Sequence, residues 1–193
     1  MPALTTSQTR REPARQRILE TALVLFYAEG IRAVGIDRII ADADVAKMSF
    51  YRHFPSKADL VCAFLEERHT RWMHWFTTRH AELCRRRTPK LPVAADVLKE
   101  WFEGPDFHGC AFINILAETT AASTHERNIA SAHKEELKRL LAGIAKTDGA
   151  KNTAETGSLA LLIIEGAIVR AEMTGSSKPA QEARCLLSLL VAR

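Results

Sequence analysis

Residues 35–64 read GIDRIIADADVAKMSFYRHFPSKADLVCAF, and this stretch decides the fold. Ile36, Ile39, Ile40 and Ala43 recur at i, i+3, i+4 and i+7, the spacing of a short amphipathic helix. A residue or two later DVAKMSFYRHF predicts a second helix, which must stop at Pro55 because proline cannot continue one. Within it Phe50 and Phe54 sit four apart and can face a core with Val45. Met48 and Arg52, also four apart, fall on roughly the opposite side, with Lys47 and Tyr51 beside them. The dozen residues 46–57 hold three aromatics and four potential cations (Lys47, Arg52, His53, Lys57) without an acid. Ser56 and Asp59 then stand at capping-box spacing, and the apolar pattern runs on to about Arg87 through Leu60, Phe64, Trp72, Trp75, Phe76 and Leu83. Thirty residues of helix would reach roughly 45 Å.

The same periodicity extends in both directions. Upstream, Pro13 suits a helix start, Ile18, Ala22, Leu25 and Phe26 repeat at helical spacing, and Gly30 fits the stop. Downstream, Pro89, Pro92 and Pro105 bracket a short helix from about Val93 to Glu103. Further helices are expected from about Cys110 to Ala122, through Ile129–Ile144, from Thr153 to Thr174 and from Pro179 to Ala192. β-Branched residues nowhere alternate with polar ones, so no strand is expected and the fold class is all-α. The chain of 193 residues, 47% hydrophobic and 26% charged, is long enough for one compact domain or two small ones. Its net charge of +4 permits an anionic partner. Cys62, Cys84, Cys110 and Cys185 are scattered, which argues against a disulfide framework or zinc site. The first residues lack an apolar signal-like run, and LALLIIEGAIV is too short and too interrupted, by Glu165, to span a bilayer. A cytoplasmic protein without membrane partner is the expectation.

Short helices joined by a tight turn suggest a helix-turn-helix unit, whose last helix lies in the major groove. There Lys47 and Arg52 would donate to guanine edges, Ser49 to various bases, and Met48 would meet a thymine methyl. Tyr51, His53 and Lys57 suit phosphate oxygens, which position without reading sequence. Residues 1–12 form a basic arm, with Arg10 and Arg11, and Arg15 following it. The expected division is therefore residues 1–12 as arm, 13–56 as DNA-binding domain and 57–193 as a second domain.

The order ILETALVLFYAEG, then residues 35–64, resembles the N-terminal domain of the TetR family of transcriptional repressors over about residues 14–65. The resemblance rests on Phe26-x-x-x-Gly30, on Ile39-Ile40, and on Phe50-Tyr51-x-x-Phe54 followed by Ser56-Lys57. The chain departs from the family pattern at Asp44, where Gly usually makes the turn, and at Ala46, where Ser or Thr usually caps. Met48 stands for a commonly small residue and Gly35 for a Thr. The resemblance implies a C-terminal domain that binds a small effector and dimerises through its last two helices. TGSLALLIIEGAIVRAEM agrees independently, since Leu159, Leu162, Ile163, Gly166, Ala167 and Arg170 form a stripe with small residues, and Leu186 and Leu190 continue it in the last helix. An internal core would explain the same stripe. A two-fold dimer predicts a palindromic operator.

Trp72, Trp75, Phe76, Trp101, Phe102, Phe107 and Phe112 concentrate in the middle of the chain beside Asn114 and Glu118, and would line an effector pocket or simply be core. Cys110, Asn114 and Glu118 share a stripe that resembles a Gly-Cys…Asn…Glu pattern found in part of the family, and Asn114 and Glu118 are expected to be satisfied by internal hydrogen bonds. Rival chemistry is poorly supported. Asp106, His108 and Cys110 crowd one loop without oxyanion donors, and His69, His74 and His80 are spaced by five and six, which places them on different helix faces. No cofactor, metal site or enzyme activity is expected. The remaining alternative is a regulator that senses oxidants or electrophiles through Cys110.

Overall fold

The computed structural model describes residues 13–85, 89–118 and 124–192. The expected arm of residues 1–12, the end of the long helix at Arg87 and the stretch to Ala122 lie outside the described residues. Among the described residues nine helices follow one another: α1 (Ala14–Glu29), α2 (Ile36–Asp42), α3 (Lys47–His53), α4 (Lys57–Cys84), α5 (Val93–Phe102), α6 (Ala111–Glu118), α7 (Thr124–Thr147), α8 (Thr153–Thr174) and α9 (Lys178–Leu190). No strand is present among them. No helix of the described residues is long and apolar enough to cross a membrane.

The chain divides into two compact units. One runs to Arg68 and takes in Ala111–Ile129; the other comprises His69–Cys110 and Ala130–Arg193. This differs from a division at Lys57, because the first turns of α4 complete the core of the first unit. Leu60 and Phe64 are buried there, and Phe64 meets Phe26 edge to face with ring centroids 5.7 Å apart.

In the first unit α1 ends where Gly30 turns to φ +83° and its N–H returns to the Phe26 carbonyl, 3.1 Å away. A side chain at this backbone would be strained, and glycine relieves it. The α2–α3 turn places Asp44 at φ +51°. Asp tolerates this conformation better than most residues, and the Arg17 guanidinium holds the Asp44 carbonyl at 3.1 Å. α4 opens on a reciprocal cap: the Asp59 N–H donates to Ser56 Oγ (3.2 Å), and that hydroxyl donates to the Asp59 carboxylate (2.6 Å). The first leg of a capping box is thus present, whereas the Asp59 carboxylate takes the Ser56 hydroxyl in place of the Ser56 N–H.

In the second unit α5 is buried around most of its circumference, with Val93, Ala94, Ala95, Val97 and Leu98 sealed from water, so it sits as the central helix under α8 and α9. Asp148, just past α7, receives the Lys90 and Leu91 N–H groups at 2.7–2.8 Å and fixes the entry to α5. α8 crosses α7 closely: a Cβ added to Gly157 would stand 2.7 Å from the Ala142 Cβ and 2.9 Å from the Lys138 carbonyl.

Candidate nucleic-acid interface

α3 is a seven-residue helix with two unlike sides. Phe50 and Phe54 are buried beneath it, while Met48 and Tyr51 are 82% and 41% exposed. Phe50 contacts the Tyr51 ring edge to face at 5.3 Å, which stiffens Tyr51 against the anchor. Val45 is half-buried beside them. Arg52 lies exposed, with one guanidinium nitrogen 3.5 Å from Ser49 Oγ. Ser49 and His53 are half-buried at the edges of the exposed side. The geometry presents Lys47, Met48, Tyr51 and Arg52 outward from a hydrophobic base, as a groove-reading helix requires.

Two features were invisible in the local pattern. Lys47 Nζ donates to Asp37 Oδ1 at 3.1 Å, so a carboxylate from the first turn of α2 borders the outward face. That hydrogen bond is the main reason the Lys47 pKa lies above its ordinary value. Lys57, expected on phosphate, instead turns its ammonium inward to the Ile31 carbonyl and lies 5.9 Å from the Phe26 ring. Burial lowers its pKa, with the Glu118 carboxylate acting in the opposite direction. Its position makes it a brace of the α1–α2 corner.

Glu118 is the other half of that brace. The partners described for it lie in the first unit, to which α6 belongs. Its carboxylate accepts the Arg32 N–H at 2.9 Å, and its Oε1 would stand 2.6 Å from any Cβ at Gly30. The expectation that Glu118 is satisfied internally therefore agrees with the geometry, although the partner is a loop 86 residues upstream. Phe112 is buried and Asn114 half-buried in the same unit.

The remaining expected pocket residues meet in the second unit. Trp72 stacks on Phe76 at 4.9 Å and meets Trp101 at 5.7 Å, and Trp101 meets Trp75 at 6.3 Å and Phe107 at 5.0 Å. Among the described residues the buried Trp72 Nε1–H finds no hydrogen-bond partner. His69 and His133 approach at their Nδ1 atoms, 3.0 Å apart, so one ring must donate to the other. Cys110 is buried, with Lys134 Nζ 3.5 Å from its Sγ. Of the loop residues Asp106, His108 and Cys110, the first two are exposed and the third is buried. No group of three metal-ligating side chains is assembled among the described residues.

On α8 and α9 an apolar face is open to water. Leu162 is 64%, Leu189 71% and Met173 79% exposed, and Leu159 and Leu186 are also exposed. Ile163 and Leu190 are half-buried, and Gly166 has open space beyond its Cα. Ala167 departs from the expected stripe: it is buried on the inward side with Ala160, Ile164 and Ala171. Arg170 is exposed and paired with Glu182 of α9.

A helix-turn-helix unit with an outward cationic and aromatic helix defines a DNA-binding protein. Residues 18–64 match the family described as bacterial regulatory proteins, tetR family. An uncharacterized HTH-type transcriptional regulator of Mycobacterium tuberculosis is 27% identical over 146 residues, covering 76% of this chain and 67% of that protein. The regulator SrpR of Pseudomonas putida is 37% identical over 57 residues, 30% of this chain and 27% of that one. Among solved structures, a TetR-family transcriptional regulator from Streptomyces coelicolor superposes with a TM-score of 0.81 at 27% identity, covering 92% and 94% of the two chains. Escherichia coli NemR in its reduced form shares the fold, with a TM-score of 0.77 at 19% identity over 93% of this chain and 98% of that one. Residues 18–64 thus form a domain of the tetR family, the chain is similar to TetR-family regulators over most of its length, and it is a DNA-binding transcriptional regulator.

Proposed function

We propose that this regulator is a homodimeric repressor that holds a palindromic operator and leaves it when a small molecule binds the second unit. The observation that carries the reading is α3, where exposed Lys47, Met48, Tyr51 and Arg52 stand over buried Phe50 and Phe54. The open apolar face of α8 and α9 supports the dimer, since exposed leucines at this density favour burial against a partner. Two copies of α3 related by a two-fold axis then call for two half-sites.

The aromatic cluster around Trp72 supports an effector that is apolar and carries one hydrogen-bond acceptor for the lone indole N–H. Release follows from linkage: an effector that prefers the arrangement unfavourable to DNA weakens binding by its differential affinity for the two states. The test is fluorescence anisotropy on the operator with Tyr51→Ala and Arg52→Ala, which should each weaken binding by about 1–3 kcal/mol. Unchanged affinity in both would remove α3 from the interface.

A redox or electrophile sensor at Cys110 is the second reading, favoured by the Lys134 ammonium, paired with Glu165, at 3.5 Å from its sulfur. Burial of Cys110 opposes it. If Cys110→Ser still leaves DNA on treatment with peroxide or quinone, that reading is lost. Catalysis is no part of the proposed role.

A further inference from the structure

At the end of the second unit, the C-terminal turns of α4, the segment before α5 and the C-terminal half of α7 enclose an open groove of about 920 Å³. Its volume is in the range of small-molecule sites. Three cations reach it, Arg85, Lys90 and Arg139, and among the described residues no acidic side chain lines it. None of the three is held in an ion pair among the described residues; Arg139 Nε donates only to the backbone carbonyl of Glu135, 3.3 Å away. Nearby carboxylates are engaged elsewhere: Asp148 by the Lys90 and Leu91 N–H groups, Glu135 by Lys138, Glu136 by His69. His80 adds no charge to the set. Its Nε2 is 3.1 Å from the Lys90 carbonyl and so carries the proton, and burial lowers its pKa.

Beside Arg139, α7 also brings apolar side chains to the groove. Leu140 and Ile144 of α7 line it, and Gly143 leaves room between them, since a Cβ there would meet nothing within 4 Å. Like charges converging on a groove raise its potential and attract anions, and a charge-assisted hydrogen bond to a guanidinium gives the anion a place. We infer that this groove is a binding site for an amphiphilic organic anion, its acid group held by Arg85, Lys90 and Arg139 and its short apolar body laid against Leu140 and Ile144. It shares no lining residue with the aromatic cluster around Trp72, which it meets through His80 stacked on Phe76 at 6.1 Å, and it does not depend on the DNA-binding reading.

Calorimetric titration of the full chain with octanoate, octan-1-ol and inorganic phosphate tests it. The site predicts one octanoate per chain, bound about tenfold or more tightly than either octanol or phosphate. The double variant Lys90→Gln/Arg139→Gln should weaken octanoate about tenfold or more, while octanol changes little. Gly143→Trp, which keeps every charge but fills the groove, should abolish octanoate binding, with circular dichroism melting confirming a folded chain. No octanoate binding, equal binding of octanol or phosphate, or octanoate binding retained in both folded variants would overturn the site.

Discussion

Asp37 and Lys47 show how one residue pair tunes the reading helix. The carboxylate lies within 3.1 Å of the ammonium that the groove would otherwise receive free, and both are exposed. Asp37→Asn should therefore tighten operator binding roughly two- to fivefold at low salt, a gain that shrinks as salt screens it; anisotropy at two ionic strengths measures this. Weaker binding by the variant would mean that Asp37 orients Lys47 usefully. His80 carries a pH dependence. Burial lowers its pKa, so the unfolded chain binds the extra proton more readily than the folded one. Its contribution is complete above the unfolded value near 6.5 and is lost as pH falls below it. Melting temperature should drop between pH 7.5 and 5.5, and less so in His80→Gln.

At the scale of elements, most of what is local was legible. The apolar repeats announced α1, α2 and α3, and the helix expected over about Thr153–Thr174 is α8. Helical periodicity, proline stops and the Ser56–Asp59 cap are written within a few residues, so the sequence displays them. What escaped depends on distant partners. Asp37 reaches Lys47 across a turn, Lys57 folds back to Ile31, and Glu118 crosses 86 positions to hold the Arg32 N–H. No periodicity encodes such pairings, because α6 joins the N-terminal unit only once the tertiary fold exists. The role of Ala167 was misread because Ala suits both an open interface and an inward packing face. The α1–α2 corner should weaken in Glu118→Ala, by about 1–3 kcal/mol for the lost charged acceptor, with operator affinity falling as the corner loosens. Gly157→Ala should destabilise by a similar 1–3 kcal/mol, because α7 leaves no space for a methyl. Thermal denaturation reads both.

For the whole molecule, the proposed dimer would tie stability and DNA affinity together. Leu162 and Leu189 are exposed in the single chain, and a four-helix interface would cover them. Leu162→Glu with Leu189→Glu should yield monomers by sedimentation velocity, with each unit folded and operator affinity reduced about 100-fold or more, because the second half-site contact is no longer linked to the first. A variant that stays dimeric would place the interface elsewhere.

Sequence-specific recognition by α3 is the claim on which the proposed function depends, and capture of genomic fragments by the purified protein at near-physiological salt, followed by sequencing, tests it most directly. The account predicts enrichment of a site with two inverted half-sites about one or two helical turns apart. Uniform enrichment that disappears as salt rises would show phosphate contacts alone and contradict it.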